Sequence, residues 1–138
     1  MTEGKSRFEG VLGTVDILQH AANVIDNKLA GLAKSHSPVE VKKRMDAGED
    51  FILLDVRTPK ELEAMALKNK RVVHIPLGKL RERAGELPRD REIVTFCKIS
   101  MRGWEAQRIL EGEGFANVSF MEGGLVGWPY GTEADTQE

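Results

Sequence analysis

One cysteine among 138 residues leaves no basis for an intramolecular disulfide or a multi-cysteine zinc or iron–sulfur site. The histidines, His20, His36 and His74, are scattered and do not match zinc-ligand spacing. No glycine-rich phosphate or dinucleotide motif precedes a helix, so neither a metal nor a cofactor is expected. No stretch approaches the roughly 18 consecutive apolar residues of a membrane span, and Met1–Gly10 lacks the apolar core of a secretory leader. The chain therefore reads as cytoplasmic, with no membrane contact. A formal net charge of −2 gives no general reason to expect nucleic acid as a partner.

What is present is the composition of an ordinary globular domain, 41% apolar and 30% charged. The charge is unevenly placed: residues 68 to 108 carry 11 basic and 5 acidic side chains, whereas residues 109 to 138 carry no basic and 6 acidic ones. The segment holding Cys97 is thus locally cationic, and solvated helix faces would account for much of that charge.

Leu18, Ala22, Ile25, Leu29 and Leu32 recur at steps of four and three, which predicts an amphipathic helix within residues 12–34. Packing on the chain's own surface is the simple use of that stripe, and self-association through it is the alternative. Gly31 and the run Ser35-His36-Ser37-Pro38 then break the pattern. The expected organisation is an N-terminal helical extension over 1–36, a domain over 37–130 and a polar tail over 131–138.

Ser37 with Glu40, and Thr58 with Glu61, fit the S/T-x-x-E capping box, with Pro38 and Pro59 at the first helical position. Short apolar runs at 51–56, 72–75, 92–96 and 118–121 have strand length and β-branched or aromatic content. Helices and strands alternate, which argues for an α/β fold with a mainly parallel central sheet flanked by helices.

Cys97 stands where the third of these strands ends, followed by Lys98, Ile99, Ser100, Met101 and Arg102 and then by a helical pattern through Trp104, Ala106, Ile109 and Leu110. The crevice beyond the carboxyl ends of parallel strands is the usual ligand site, and a helix start supplies unpaired N–H groups and a positive dipole end. Loop amides, Lys98 and Arg102 would all favour a thiolate over a thiol at Cys97. A small buried hydrophobe is the competing reading of a lone cysteine.

Further residues shift the balance through a resemblance. Leu53-Leu54-Asp55-Val56-Arg57-Thr58-Pro59-Lys60-Glu61, the Cys97–Arg102 loop, and Phe115-Ala116-Asn117-Val118 with Met121-Glu122-Gly123-Gly124 and Trp128 resemble, in order, three segments of rhodanese-like domains. The chain departs from that pattern at Met65–Lys70, where the family has a His-Ile-Pro-Gly turn, and at Ser100, near which many members carry glycine. The resemblance implies a rhodanese fold and sulfurtransferase chemistry. Cys97 would attack a small sulfur-containing anion such as thiosulfate, or a persulfide or polysulfide, and would pass the sulfur to cyanide or to an external thiol, a protein thiol included.

In that picture Lys98, Ile99, Ser100, Met101 and Arg102 form the anion-binding loop, with Lys98 as a donor-anion ligand and Arg102 ordering the loop and adding charge. Asp55 and Arg57 support it by hydrogen bonding, or else form a solvated strand end or capping pair. Gly123 and Gly124 make a tight turn near the loop, and Trp104 packs on the sheet. A cysteine phosphatase or arsenate reductase would need five residues between cysteine and arginine, where this chain has four. A binding or regulatory module that keeps the fold without turnover is the alternative from another class.

Overall fold

Ser37 and Thr58 start helices as their spacing predicts. The Ser37 hydroxyl accepts the Glu40 N–H at 3.1 Å while the Glu40 carboxylate accepts the Ser37 N–H at 2.7 Å. The Thr58–Glu61 pair repeats this arrangement at 3.2 and 2.9 Å. Each cap satisfies N–H groups that a helix start leaves open, worth about 1 kcal/mol. The structure, a computed structural model, describes residues 22–23 and 32–131. Its contacts divide the chain into a unit spanning Met1–Ala33 and a unit spanning Lys34–Glu138.

In the second unit the elements run β1 (Ser35–His36), α1 (Pro38–Asp46), β2 (Phe51–Asp55), α2 (Pro59–Ala64), β3 (Val72–His74), α3 (Leu80–Arg83), β4 (Glu92–Phe96), α4 (Met101–Gly112) and β5 (Val118–Met121). Single 3-10 turns, Leu77–Lys79 and Ala84–Glu86, flank α3. The sheet has the order β1-β5-β4-β2-β3, with parallel pairing at every junction. The predicted α/β class with flanking helices is what forms.

Every residue of β2 is buried, as expected for a central strand covered on both faces. Ile52, Leu54 and Val56 enter one apolar layer together with Ile93, Cys97, Ala106 and Leu110. Phe51 and Leu53 enter the other, with Val41, Val94, Phe96 and Trp128. The alternation is the period-two geometry of a strand, and truncating a fully buried leucine such as Leu54 to alanine would cost about 2–5 kcal/mol.

One sequence expectation changes, and one stretch left open by the sequence acquires a conformation. Ser35 and His36, read as part of a break in the N-terminal extension, form the edge strand β1, paired with Phe120 and Met121. Two residues are too few to show period-two patterning, and the pairing is a tertiary event. In Met65–Lys70, Leu67 is buried among the second apolar layer, and Asn69 turns the chain into β3 by accepting from the N–H groups of Arg71 and Val72. The predicted helix within 12–34 lies outside the described residues except at Ala22 and Asn23, which are helical and exposed, and at Leu32, Ala33 and Lys34; its self-association falls there too. Among the described residues no helix is long and apolar enough to cross a membrane.

The topology places the crevice. From β2 the chain moves outward to β3, then crosses back to β4 on the other side and continues to β5. The connections leaving the carboxyl ends of β2 and β4 therefore diverge, and this switch point is where open α/β sheets bind ligands. Asp55 ends one strand, and Cys97 follows the other.

Candidate active site

The loop after β4 is held by its carbonyl groups. The Leu125 N–H donates to the Cys97 carbonyl and the Val126 N–H to the Lys98 carbonyl, each at 3.0 Å. A trans peptide carries its C=O and N–H on opposite sides, and no peptide bond here is cis. The N–H groups of Lys98 and Ile99 consequently face away from the 123–127 turn. None of the N–H groups from Lys98 to Gly103 meets a protein acceptor among the described residues. The Ser100 carbonyl accepts the Trp104 N–H, and the Ser100 hydroxyl accepts the Gly123 N–H at 2.9 Å.

Gly124 makes this clamp sterically feasible. Its φ is +52°, and a Cβ there would stand 2.2 Å from the Cys97 carbonyl oxygen and 2.5 Å from that of Ile99. The sequence places Gly123 and Gly124 in a tight turn near the loop; the structure adds that the turn's amides bind the loop directly.

Cys97 is 2% exposed and belongs to an apolar cluster with Val56, Ile75, Ala106 and Leu110. Lys98 is exposed, Ile99 is 58% exposed, and Ser100, Met101 and Arg102 are half-buried. The loop tip therefore meets water while the thiol lies beneath it.

Arg102, in the first turn of α4, is committed to a partner. Its guanidinium donates to both oxygens of Glu61 at 2.7 and 3.0 Å. Hydrogen bonding from Arg102, followed by the Thr58 N–H, pulls the Glu61 carboxyl down to about 2. The same bond holds the Arg102 guanidinium above its usual value, with the nearby Cys97 and Asp55 charges acting in the same direction. The positive charge expected of Arg102 is thus shared with a carboxylate that the sequence marks only as a helix cap.

Asp55 and Arg57 are 1% and 3% exposed, which removes the solvated-strand-end alternative. The Asp55 carboxylate accepts from Arg57 Nε at 3.0 Å, from Arg57 Nη2 at 2.8 Å and from the Arg57 N–H at 3.0 Å. The pair braces the end of β2, and both side chains satisfy each other rather than hydrogen bonding to the Cys97 loop. His74, the last residue of β3, donates from Nε2 to the Arg57 carbonyl at 2.7 Å, since a carbonyl can only accept.

Trp104 is only partly buried; the face of α4 turned to the sheet is Gly103, Ala106, Gln107 and Leu110. Its position one residue beyond Gly103 rotates it about 100° off that face. Among the described residues no group of His, Cys, Asp and Glu could hold a metal ion.

What sequence reasoning missed is Glu61 as a ligand of Arg102, and Leu125 and Val126 as the clamp. Neither has a local signal, because both act across long sequence separations. The Thr-Pro-x-Glu spacing did place Glu61 at the start of α2, beside the crevice.

This geometry can be set beside known proteins. The rhodanese-like domain family model matches residues 37–129. The putative sulfurtransferase YtwF of Bacillus subtilis is 32% identical over 95 residues, covering 69% of this chain and 89% of that protein. The probable adenylyltransferase/sulfurtransferase MoeZ of Mycobacterium tuberculosis is 30% identical over 115 residues, covering 83% of this chain; the chain spans 29% of that protein's length. The structure of an NAD-dependent persulfide reductase from A. fulgidus superimposes with a TM-score of 0.66 at 41% identity, covering 78% of this chain and 18% of that one. With a parallel five-stranded sheet, a cysteine loop at its switch point and a family match across that whole region, the chain belongs to the rhodanese-like domain family.

Proposed function

We propose that the chain is a sulfurtransferase whose Cys97 carries sulfur as a persulfide. The Cys97 thiolate attacks the outer sulfur of thiosulfate, or of a persulfide or polysulfide donor. A Cys97–sulfur bond forms, the donor's sulfur–sulfur bond breaks, and its electron pair leaves with sulfite or the donor thiolate. An external acceptor, cyanide or a thiol, then attacks the outer sulfur and returns an electron pair to Cys97. With one cysteine in the sequence, the acceptor thiol comes from another molecule.

The observation that carries this reading is the run of N–H groups from Lys98 to Gly103 with no protein acceptor among the described residues, beside a cysteine at the carboxyl end of a parallel strand. Convergent main-chain donors stabilise developing negative charge, as in an oxyanion hole, where one donor is worth about 3 kcal/mol. Lys98, exposed and without a carboxylate partner among the described residues, would meet the distal charge of an anionic donor.

The 2% exposure of Cys97 favours a second reading, a rhodanese-fold binding module in which the cysteine only fills space. Intact mass after incubation with thiosulfate, and separately with a polysulfide, decides between them. The sulfurtransferase gains one sulfur atom that Cys97→Ser does not, and cyanide removes it with formation of thiocyanate. No adduct with either donor leaves the module.

A further inference from the structure

We propose that Glu61 is a positioning residue of this site: through Arg102 it fixes the end of the Cys97 loop and masks the positive charge beside it. The inference rests on the sulfurtransferase reading above.

The carboxylate joins two helix starts. Its Oε1 accepts the Thr58 N–H at 2.9 Å and Arg102 Nη1 at 2.7 Å, and its Oε2 accepts Arg102 Nη2 at 3.0 Å. Thr58 caps α2 where the chain leaves β2, and Arg102 begins α4 where it leaves β4. The strut therefore spans the switch point, from one wall of the crevice to the other. A bidentate arginine–carboxylate pair fixes orientation as well as distance.

Arg102 lies within the run of amides that would hold the transferred sulfur, so a shift of its helix turn moves those donors. The pairing also means that the loop's lasting positive charge is Lys98, with Arg102 compensated.

The capping box accepts glutamine as well as glutamate, so Glu61→Gln keeps the reach-back to Thr58 while removing the ion pair. Donor misplacement of around 1 Å can cost up to about a hundredfold in rate; a partial release predicts kcat about tenfold lower. The uncovered guanidinium makes kcat/KM for thiosulfate fall more steeply with salt than in the wild type. A purely structural role would not change that slope. Arg102→Lys loses the fork and should reproduce the kcat loss, and the double variant should be no slower than the slower single variant.

Ser37→Ala removes the equivalent capping box on α1, which touches neither Glu61 nor Arg102, so its kcat should stay within twofold of wild type. The experiment is steady-state thiosulfate:cyanide kinetics across a salt series on these full-length variants, with thermal melts alongside. Glu61→Gln within twofold of wild type, an unchanged salt slope, multiplicative losses in the double variant, or a Ser37→Ala loss equal to that of Glu61→Gln would each overturn the proposal. Wild-type protein that takes up no sulfur defeats the underlying reading instead, and the positioning role with it.

Discussion

Gly124→Ala tests whether the loop's geometry, rather than its residues alone, carries the chemistry. Two separate penalties act at this position. The φ of +52° lies in the left-handed region, where a side chain costs about 1–2 kcal/mol. The new methyl would also stand 2.2 Å from the Cys97 carbonyl oxygen, 2.5 Å from that of Ile99 and 2.8 Å from the Lys98 carbonyl carbon. Those are main-chain atoms, so no side-chain rotation relieves them, and ordinary contact requires the loop to retreat by about 1 Å. Such a shift breaks the Leu125 and Val126 hydrogen bonds and turns the Lys98 and Ile99 N–H groups out of register. A displacement of that size costs roughly a hundredfold in rate. Gly48→Ala supplies the control: its φ is +77° and nothing lies within 4 Å of its added Cβ, so it carries the backbone penalty alone. Both variants should melt lower, by about 4–8 °C per kcal/mol for a domain of this size, with Gly124→Ala the lower of the two. Only Gly124→Ala should lose sulfur transfer in a thiosulfate:cyanide assay below the melting range. Near-wild-type turnover in Gly124→Ala, or an equal loss in Gly48→Ala, would refute the clamp.

Two further outcomes follow from the ion pairs. Asp55→Asn leaves the Arg57 guanidinium buried without its carboxylate, a loss of about 3–5 kcal/mol readable as a lower urea midpoint; adding Arg57→Met should recover part of it. Glu61 titrates near 2 in the folded chain against an ordinary 4.5, so the unfolded state binds its proton first as pH falls. Its stabilising contribution is complete above about pH 4.5 and disappears between there and about pH 2. The wild type should therefore lose stability across that window more steeply than Glu61→Gln, as followed by denaturant midpoints; parallel curves would show that the carboxylate contributes nothing.

How much of this was legible in the sequence depends on how far each signal reaches along the chain. The helix starts at Ser37 and Thr58 were readable because a capping box closes within three residues. The strands at Phe51–Asp55 and Glu92–Phe96 were readable because buried parallel strands are continuous apolar runs. Cys97 and Arg102 could be placed at a strand end and a helix start for the same reason. The edge strand Ser35–His36 was not legible, since its only reason to be extended is the backbone of Phe120 and Met121. Nor was the engagement of Arg102, because a glutamate in a helix cap looks the same whether or not an arginine from a distant turn reaches it.

The pairing of charges has a consequence for how an anion is held here. Arg57 is matched by Asp55 and Arg102 by Glu61, each through more than one hydrogen bond. The charges within each pair therefore largely cancel, which leaves Lys98 and the residual attraction between Arg102 and Cys97 as the side-chain charge at the loop. On the proposed sulfurtransferase reading the anion is stabilised chiefly by the main chain: the N–H groups from Lys98 to Gly103 and the start of α4, a helix of 12 residues. Dipoles of that kind are fixed by backbone hydrogen bonds and need no reorganisation when charge develops. The ion pairs would then serve the chemistry by geometry, holding the ends of β2, α2 and α4 so that the peptide groups stay aimed. On that reading the cysteine can sit under the loop rather than in the open, because the loop's own N–H groups supply partial positive charge there.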